Sequence, residues 1–197
     1  SYRYCRFNRY ENCDVSANGS HGIYLYDSST GGNSGVYSST YIINCVIYSN
    51  NACGIYAHND SDPVIENTII ARNKTYGIQE AHNYSDPTLH NCCFHTNGTE
   101  TAYYRDYDTT NDLHTVVEIN ALSVAVNTNN IAGDPLFLDA ASGDFRIDPV
   151  SVCVDAGTTT TDLDTDFYGN VRLSGPAVDI GIYEYVPLPA GTVFMFW

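Results

Sequence analysis

The sequence has very little lysine and no long apolar run. Lys74 is the only lysine among eight basic residues, and 23 acidic residues give a formal net charge of −15. A surface this acidic repels polyanions, so we exclude nucleic acid as a partner. No stretch of 18 apolar residues occurs, so we expect no transmembrane segment.

Zinc motifs and helical periodicity are also missing. The seven cysteines include no CxxC pair, so we expect no zinc site of the finger type. Helical repeats need two long runs with 3.6-residue periodicity, and leucine-rich repeats need a ladder of leucines. The sequence shows neither pattern, which leaves the all-β repeat folds.

One pattern recurs four times, and each copy begins with an anchor asparagine. The copies, beginning at Asn12, Asn44, Asn67 and Asn91, read NCDVSANGSHGIY, NCVIYSNNACGIY, NTIIARNKTYGIQ and NCCFHTNGTETAY. The spacings are 32, 23 and 24 residues, and the first is long because TGGNSGVYSS at 30–39 is an insertion loop. This repeat predicts an all-β solenoid, a parallel β-helix with coils of about 22–24 residues.

Equivalent positions of the coils are expected to stack about 4.8 Å apart. The residue two before each anchor, and those one and three after it, should face inward: Tyr10, Ile42, Ile65, Leu89, Cys13, Cys45, Thr68, Cys92, Val15, Ile47, Ile70 and Phe94. Buried thiols are favoured at Cys13 and Cys45, although stacking brings them close enough for a disulfide. Asparagine tolerates the left-handed bends between strands and can form a hydrogen-bonded ladder up the coil. We assign this structural role to Asn12, Asn44, Asn67, Asn91, Asn18, Asn50, Asn73 and Asn97.

Two acidic patterns are candidates for Ca²⁺, the one cofactor that the sequence suggests. The heptapeptides AHNDSDP and AHNYSDP at 57–63 and 81–87 would stack Asp62 on Asp86 and His58 on His82. This gives a cation site of stacked carboxylates, a pair of histidine ligands, or only a repeated corner. Alternating acids at Asp162, Asp164 and Asp166 resemble the start of a calcium loop. That loop lacks glycine at its sixth position and has Leu173 instead of glutamate at its twelfth, so a plain turn is the alternative.

Five N-x-S/T sequons begin at Asn18, Asn59, Asn73, Asn83 and Asn97. In an exported protein such sequons are acceptors for glycans. Asn59 and Asn83 lie in the corner loops, and we therefore predict these two as possible glycosylation sites. Asparagine, serine and threonine are so common in this chain that chance alone explains part of the number.

The last third of the chain reads differently, with GDPLFLDAASGDFRIDPVSVCVDAG followed by TDLDTDFYGNVRLSGPAVDIGIYEY. Over residues 133–185 it resembles the C-terminal segment of bacterial exported right-handed parallel β-helix proteins. Cys153 and Ile182 depart from that family's usual residues. The earlier repeats resemble those of polymorphic outer-membrane and related surface proteins. The resemblance implies a right-handed β-helix with coils at 1–132, and terminal coils with a C-terminal cap at 133–185. Within the cap we expect a salt-bridge cluster of Arg172, Asp155, Asp179 and Glu184.

The end of the chain, VPLPAGTVFMFW at 186–197, resembles the start of a VPLPA-type sorting signal. The alternative is a proline-rich strand end whose apolar residues dock on the coil or on a neighbour. With either interpretation we expect an exported protein, located outside the cell or on its surface.

The function predicted from these features is a non-catalytic structural or adhesive protein that can self-associate end to end into fibres. The alternative is a module that binds polysaccharide, or cleaves it as a lyase does. Cleavage is disfavoured because the basic pair Arg72 and Lys74 meets no acidic cluster in register, so whether the chain is an enzyme stays open. Binding is favoured by tyrosines expected to face outward, which can stack on sugar rings: Tyr24, Tyr26, Tyr56, Tyr103, Tyr104 and Tyr107.

Overall fold

Four coils of three short strands each form the first half of the molecule. The computed structural model describes residues 7–26, 39–59, 61–98, 103–108, 110–123, 127–159 and 163–187. Most of the insertion loop 30–39, as well as Asp60, Asp162 and the tail from residue 188 onward, lies outside these ranges. The coil strands are β1 (Phe7–Glu11), β2 (Asp14–Ser16), β3 (Ile23–Tyr26), β4 (Ser39–Ile43), β5 (Val46–Tyr48), β6 (Ile55–His58), β7 (Val64–Glu66), β8 (Ile69–Ala71), β9 (Ile78–Glu80), β10 (Thr88–His90), β11 (Cys93–His95) and β12 (Tyr104–Arg105).

Equivalent strands of successive coils pair in parallel and build three sheets. Sheet A contains β1, β4, β7 and β10, sheet B contains β2, β5, β8 and β11, and sheet C contains β3, β6, β9 and β12. The register is the one that the sequence repeat predicts, with Val15, Ile47 and Ile70 opposite one another in sheet B. The architecture is therefore the predicted parallel β-helix.

Residues at the predicted inward positions form the core between the three sheets. Ile42, Ile65, Leu89, Ile47 and Phe94 are fully buried there. Tyr10 occupies the equivalent position in the first described coil but is 38% exposed. It lies on β1, which is an edge strand of sheet A among the described residues, so only one neighbouring strand covers it.

The position after each anchor asparagine holds a hydrogen-bond donor as well as a small buried side chain. Cys45 Sγ donates to the carbonyls of Ile43 at 3.2 Å and Tyr10 at 3.4 Å. In the next coil, Thr68 Oγ1 donates to the equivalent carbonyls of Glu66 at 2.9 Å and Ile42 at 3.4 Å. Threonine can therefore replace cysteine in this column because both supply the same donor.

Both asparagine columns stand at the predicted bends between strands. The anchor asparagines Asn12, Asn44, Asn67 and Asn91 all have left-handed φ angles of 46–51°. At the second bend the left-handed residue is the one before the asparagine, for example Arg72 with φ 55° and Thr96 with φ 42°. Side chains of this type are strained there, so the neighbouring asparagine column has to hold the bend.

The second column forms a continuous amide ladder. Asn18 Nδ2 donates to Asn50 Oδ1 at 2.8 Å, and Asn50 Nδ2 donates to Asn73 Oδ1 at 2.9 Å. Asn73 Nδ2 then donates to Asn97 Oδ1 at 2.9 Å. Each acceptor oxygen also takes a main-chain N–H of the neighbouring coil, as Asn73 Oδ1 does from Asn50 N at 3.1 Å.

A partial fifth coil and a short helix close the C-terminal end of the solenoid. Here Asn129 is left-handed with φ 56°, and β14 (Ile131–Ala132) extends sheet B. The antiparallel strand β13 (Asp112–Leu113) ends sheet C. The helix α1 (Val116–Asn120) begins at a capping box of Thr115 and Glu118, and its Ile119 is buried in the core.

Residues 137–159 and 163–184, which we call the strap, lie along the side of the solenoid instead of continuing it. This segment contains β15 (Phe137–Asp139), a 3-10 helix (Ala140–Ser142) and β16 (Asp144–Ile147). Its apolar side chains cover the outer face of sheet B in a second buried cluster: Val46, Ile69, Ala71, Cys93, Phe145, Ile147, Cys153, Ile180 and Ile182. The terminal coils and cap predicted for 133–185 are thus a lateral cover, since the outward column of sheet B is apolar and needs one.

The anchor asparagines bind the strap and do not form the ladder predicted for them. The Nδ2 groups of Asn91, Asn67 and Asn12 donate to the carbonyls of Ala156, Thr158 and Thr165, each at 2.9 Å. Thr158 N returns a bond to Asn67 Oδ1 at 2.8 Å. Asn44 is fully buried, and neither polar atom of its side chain has a hydrogen-bond partner among the described residues. The strap runs over this column, so main-chain carbonyls replace neighbouring amides as acceptors.

The buried polar residues of the strap hold its own main chain, and the predicted salt-bridge cluster is not formed. Arg172 is 2% exposed and donates through Nη2 to the carbonyls of Asp179 at 2.9 Å and Gly181 at 2.7 Å. Glu184 and Asp179 accept main-chain N–H groups, for example from Ser174 at 3.1 Å and Asp155 at 2.7 Å. Burial lowers the pKa of Arg172, an effect that the charges of Glu184 and Asp179 oppose.

Candidate functional site

The outer face of sheet C and the loops that flank its strands present a continuous row of aromatic and imidazole rings. The row, which we call the ring stripe, consists of His21, Tyr24, Tyr26, Tyr56, His58, His82, Tyr84 and Tyr107. It forms because β3 and β6 alternate, with Ile23, Leu25, Ile55 and Ala57 facing inward. The parallel register then places Tyr24 opposite Tyr56 and Tyr26 opposite His58.

The rings follow one another along the solenoid axis at nearly constant intervals. Ring centroids are 5.1 Å apart for Tyr24 and Tyr56, and 5.4 Å apart for Tyr26 and His58; both pairs are stacked. The row continues from His58 to His82 at 6.0 Å and from His82 to Tyr107 at 6.3 Å. It therefore crosses all four coils.

Much of the stripe is open to solvent. Tyr24 and Tyr26 are each 56% exposed, Tyr84 is 62% exposed and Tyr107 is 45% exposed. Partial burial raises the pKa of Tyr56 and lowers the pKa of His21. The lowered pKa of His21 favours its neutral form, which suits stacking on an uncharged partner.

Polar side chains continue the same outward column toward the C-terminal coils. Gln79 lies opposite Tyr56, and Arg105 lies opposite Gln79. Arg105 Nη1 is 2.7 Å from Asp112 Oδ1. The face thus combines ring surfaces with amide, guanidinium and carboxylate groups that can form hydrogen bonds with a ligand.

Carboxylates dominate the charge beside the stripe. Burial raises the pKa of Asp86, and the nearby charges of Asp108 and Asp106 raise it further. This crowding of negative charge makes the face unfavourable for a polyanion.

Two of the tyrosines that were predicted to face outward lie elsewhere in the structure. Tyr104 is 1% exposed and points into the core between Ile78 and Leu113 in the strand register. Tyr103 is half-buried and stacks on Phe94 with ring centroids 5.5 Å apart. The fourth coil lacks the Gly-Ile pair of the other three, so the sequence alone could not establish which tyrosine faces outward.

A buried carboxyl group that was not among the predicted site residues binds Tyr104. Glu80 is 3% exposed; it accepts a hydrogen bond from the Tyr104 hydroxyl and another, at 2.9 Å, from Tyr107 N. Burial raises the pKa of Glu80 to about 8. The strand register could have identified this buried position, because Glu80 lies opposite the core residue Ala57.

The stacked heptapeptides do bring the predicted aspartates together. Asp86 N donates to Asp62 Oδ1 at 2.8 Å, so one carboxylate holds the next loop. In the calcium-like sequence, Asp162 lies outside the described residues and Asp164 is exposed. The Asp166 carboxylate accepts N–H groups from Tyr168, Asn170 and Glu184. Among the described residues no three His, Cys, Asp or Glu side chains converge as metal ligands would. Calcium binding stays a prediction.

The two predicted glycosylation sites differ in exposure. Asn83 is exposed, whereas Asn59 is half-buried with a left-handed φ of 59°. Glycosylation therefore stays a prediction, and Asn83 is the more accessible acceptor.

Comparisons with known proteins agree with this architecture. A family model described as a right handed beta helix region matches residues 3–135. No curated protein sequence matches the chain. Among solved structures, the crystal structure of pectate lyase Pel9A superposes with a TM-score of 0.50 at 15% identity, covering 90% of this chain. The match spans 51% of that lyase, so the likeness concerns the fold. In the part of the chain that the structure describes, no helix is long and apolar enough to cross a bilayer.

Proposed function

Because the chain belongs to the right-handed β-helix family, we propose that it is a non-catalytic extracellular or cell-surface adhesive module that binds polysaccharide through the ring stripe. The observation that supports this proposal is the series of exposed and half-buried rings on four coils, with centroids 5.1–6.3 Å apart. Sugar rings have apolar faces that stack on aromatic side chains, and a polymer can use several such platforms at once.

The charge of the face selects the class of polysaccharide. Asp86 and Asp108 lie beside the stripe, and the whole chain has a net charge of −15. Anionic polymers such as polygalacturonate are repelled, whereas neutral glucans and cationic amino-sugar polymers are not. We therefore propose a neutral or cationic polysaccharide as the ligand.

A lyase-like cleavage of polysaccharide is the alternative. It requires a free base close to the bound sugar. The guanidinium of Arg105 on this face is already held by Asp112, and the imidazoles of the stripe are stacked on or packed against neighbouring rings. Binding without cleavage is therefore the function that this arrangement favours.

End-to-end self-association remains part of the proposal. Among the described residues, β1, β2 and β3 are the edge strands of their sheets. Exposed edges are templates for adding a further strand. Negative-stain electron microscopy with and without a calcium chelator tests whether fibres form and whether they depend on calcium.

Affinity electrophoresis and isothermal titration calorimetry test the stripe directly. We expect Tyr24→Ala and Tyr26→Ala each to weaken binding to a neutral or cationic polysaccharide by about 2- to 10-fold, the value of one aromatic stacking contact. Tyr168→Ala is the matched control, since it removes a 44% exposed tyrosine from the strap. Equal affinities for all three variants, or preferred binding of polygalacturonate with release of unsaturated products, would contradict the proposal.

A further inference from the structure

Several buried polar atoms lie without a hydrogen-bond partner where the strap crosses the first coils. They are Asn12 Oδ1, both polar side-chain atoms of Asn44, and Nε and Nη1 of Arg172, and none has a partner among the described residues. Asn44 is 0% exposed and Arg172 is 2% exposed. Buried polar groups in folded proteins almost always have a partner, so the concentration of unpaired atoms in one place points to a ligand.

Hydrogen bonds determine where the Arg172 side chain begins. Asn12 Nδ2 donates to the carbonyl of Thr165 at 2.9 Å, and Thr165 forms an antiparallel bridge with Val171. Arg172 N donates to the carbonyl of Asp164 at 2.9 Å. The main chain of Arg172 therefore lies beside the strap residue that is bound to the first coil.

The guanidinium of Arg172 lies over the second and third coils. Its Nη2 donates to the carbonyl of Gly181 at 2.7 Å, and Gly181 N donates to the carbonyl of Asn67 at 2.8 Å. A Cβ added at Gly181 would be 2.7 Å from Ile69 Cδ1 and 3.7 Å from Val46 Cγ2. The side chain of Arg172 therefore extends along the solenoid axis from the first coil toward the third.

Asn44 lies in the coil that the Arg172 side chain crosses. It is the anchor of the second coil, between Asn12 and Asn67 in the stacked column. Its φ of 51° matches the 49° of Asn12 and the 46° of Asn67, and both of those side chains bind the strap. The amide of Asn44 therefore also faces the strap, at the level of Arg172.

The unpaired atoms are both donors and acceptors, and this identifies the ligand. Nε and Nη1 of Arg172 only donate, whereas the Oδ1 atoms of Asn12 and Asn44 only accept. Water does both, and a buried water makes about three hydrogen bonds to groups that lack other partners. A halide ion only accepts, so it would leave both oxygens unpaired. A metal ion would be repelled by the guanidinium.

We propose that ordered water lies between Arg172 and Asn44 and is the hydrogen-bond partner of both side chains. The strap is then joined to the second coil through water, whereas the anchors of the other three coils bind strap carbonyls directly. Water-mediated hydrogen bonds are enthalpically nearly as favourable as direct ones. This inference concerns the attachment of the strap and is independent of the proposed polysaccharide binding.

Nuclear magnetic resonance of the isotope-labelled chain tests the proposal. Rotating-frame cross-relaxation between water and nitrogen-bound protons detects bound water, and the sign of the cross peak separates it from proton exchange. We expect cross peaks at Arg172 Nε–H and at the Asn44 Nδ2 protons. Asn73 is the matched control, because its buried Nδ2 donates to Asn97 Oδ1 at 2.9 Å and to the carbonyl of Ile47 at 3.1 Å. It should give no cross peak.

The variant Asn44→Ala gives a second readout. Arg172 still needs a partner in this variant, so its Nε–H cross peak should persist while circular dichroism shows a folded solenoid. Absence of the cross peaks at both residues of the wild-type chain would overturn the proposal, and so would loss of the Arg172 cross peak in folded Asn44→Ala.

A crystal structure of the wild-type chain distinguishes water from the other possible partners. We expect a water within hydrogen-bond distance of Arg172 and Asn44. Direct hydrogen bonds from the protein to all four of their unpaired atoms would overturn the proposal. Anomalous scattering from bromide at this position, after the crystal is soaked in bromide, would assign the site to an anion and would also overturn it.

Discussion

Removing one amide from the ladder tests whether this column holds the solenoid together. Asn73 is 1% exposed. Its Nδ2 donates to Asn97 Oδ1 at 2.9 Å and to the carbonyl of Ile47 at 3.1 Å, and its Oδ1 accepts both Asn50 N and Asn50 Nδ2. Asn73→Ala removes these four bonds and leaves the Ile47 carbonyl and Asn50 N buried without their side-chain partner.

Each intramolecular hydrogen bond contributes about 1 kcal/mol, so we expect a loss of about 4 kcal/mol in the free energy of unfolding. Urea denaturation followed by circular dichroism measures this loss. The matched control is Asn51→Ala, whose side chain makes only exposed bonds: Nδ2 donates to the carbonyl of Gly19 at 3.4 Å, and Oδ1 accepts from Lys74 Nζ at 3.0 Å. It should change the free energy of unfolding by less than about 1 kcal/mol.

A loss of less than about 1 kcal/mol for Asn73→Ala would refute this reasoning. The bends would then be stable through main-chain pairing alone. Equal losses for Asn73→Ala and Asn51→Ala would show that an asparagine in the buried ladder contributes no more to stability than an exposed one.

Two further predictions concern the strap and the buried carboxyl group. Asn67→Ala should lower the free energy of unfolding by about 2 kcal/mol more than Asn44→Ala does, because Asn67 exchanges two hydrogen bonds with Thr158 and Asn44 has no described partner. Both residues have φ of 46–51°, so the backbone strain of an alanine is the same in the two variants. Equal urea midpoints for the two variants would contradict the role of Asn67 in binding the strap. Glu80 has a folded-state pKa of about 8, above its usual 4.5, so the folded state binds more protons and stability falls as the pH rises from about 4.5 to 8. Glu80→Gln removes this titration, although Tyr104, Asp106 and Asp86 still face the site. The loss of free energy of unfolding between pH 5.5 and 8 should therefore be smaller in the variant by roughly 2–3 kcal/mol. Identical pH profiles for both proteins would show that Glu80 is ionised in the fold.

The sequence alone determined the coils. The period, the left-handed asparagine bends and the inward columns were predictable because each coil repeats its neighbour. When coils stack in register, equivalent residues take the same conformation and face the same environment in every coil. Thus Asn73 was placed in its ladder, and Ile47 and Phe94 in the core. The outward ring pairs followed from the same alternation, which placed Tyr24 above Tyr56.

Only the tertiary structure decided where the non-repeating residues lie. The sequence of the strap does not show where it packs, because the surface that it covers belongs to another segment. That surface is the outer column of sheet B, made of Val46, Ile69 and Cys93. For the same reason, the anchor asparagines bind strap carbonyls and not one another. Tyr104 turned inward because Glu80, a coil away, supplies an acceptor for its hydroxyl. A sequence repeat determines which equivalent residues of neighbouring coils contact one another. Contacts between different segments depend instead on which apolar surface stays exposed after the coils have stacked.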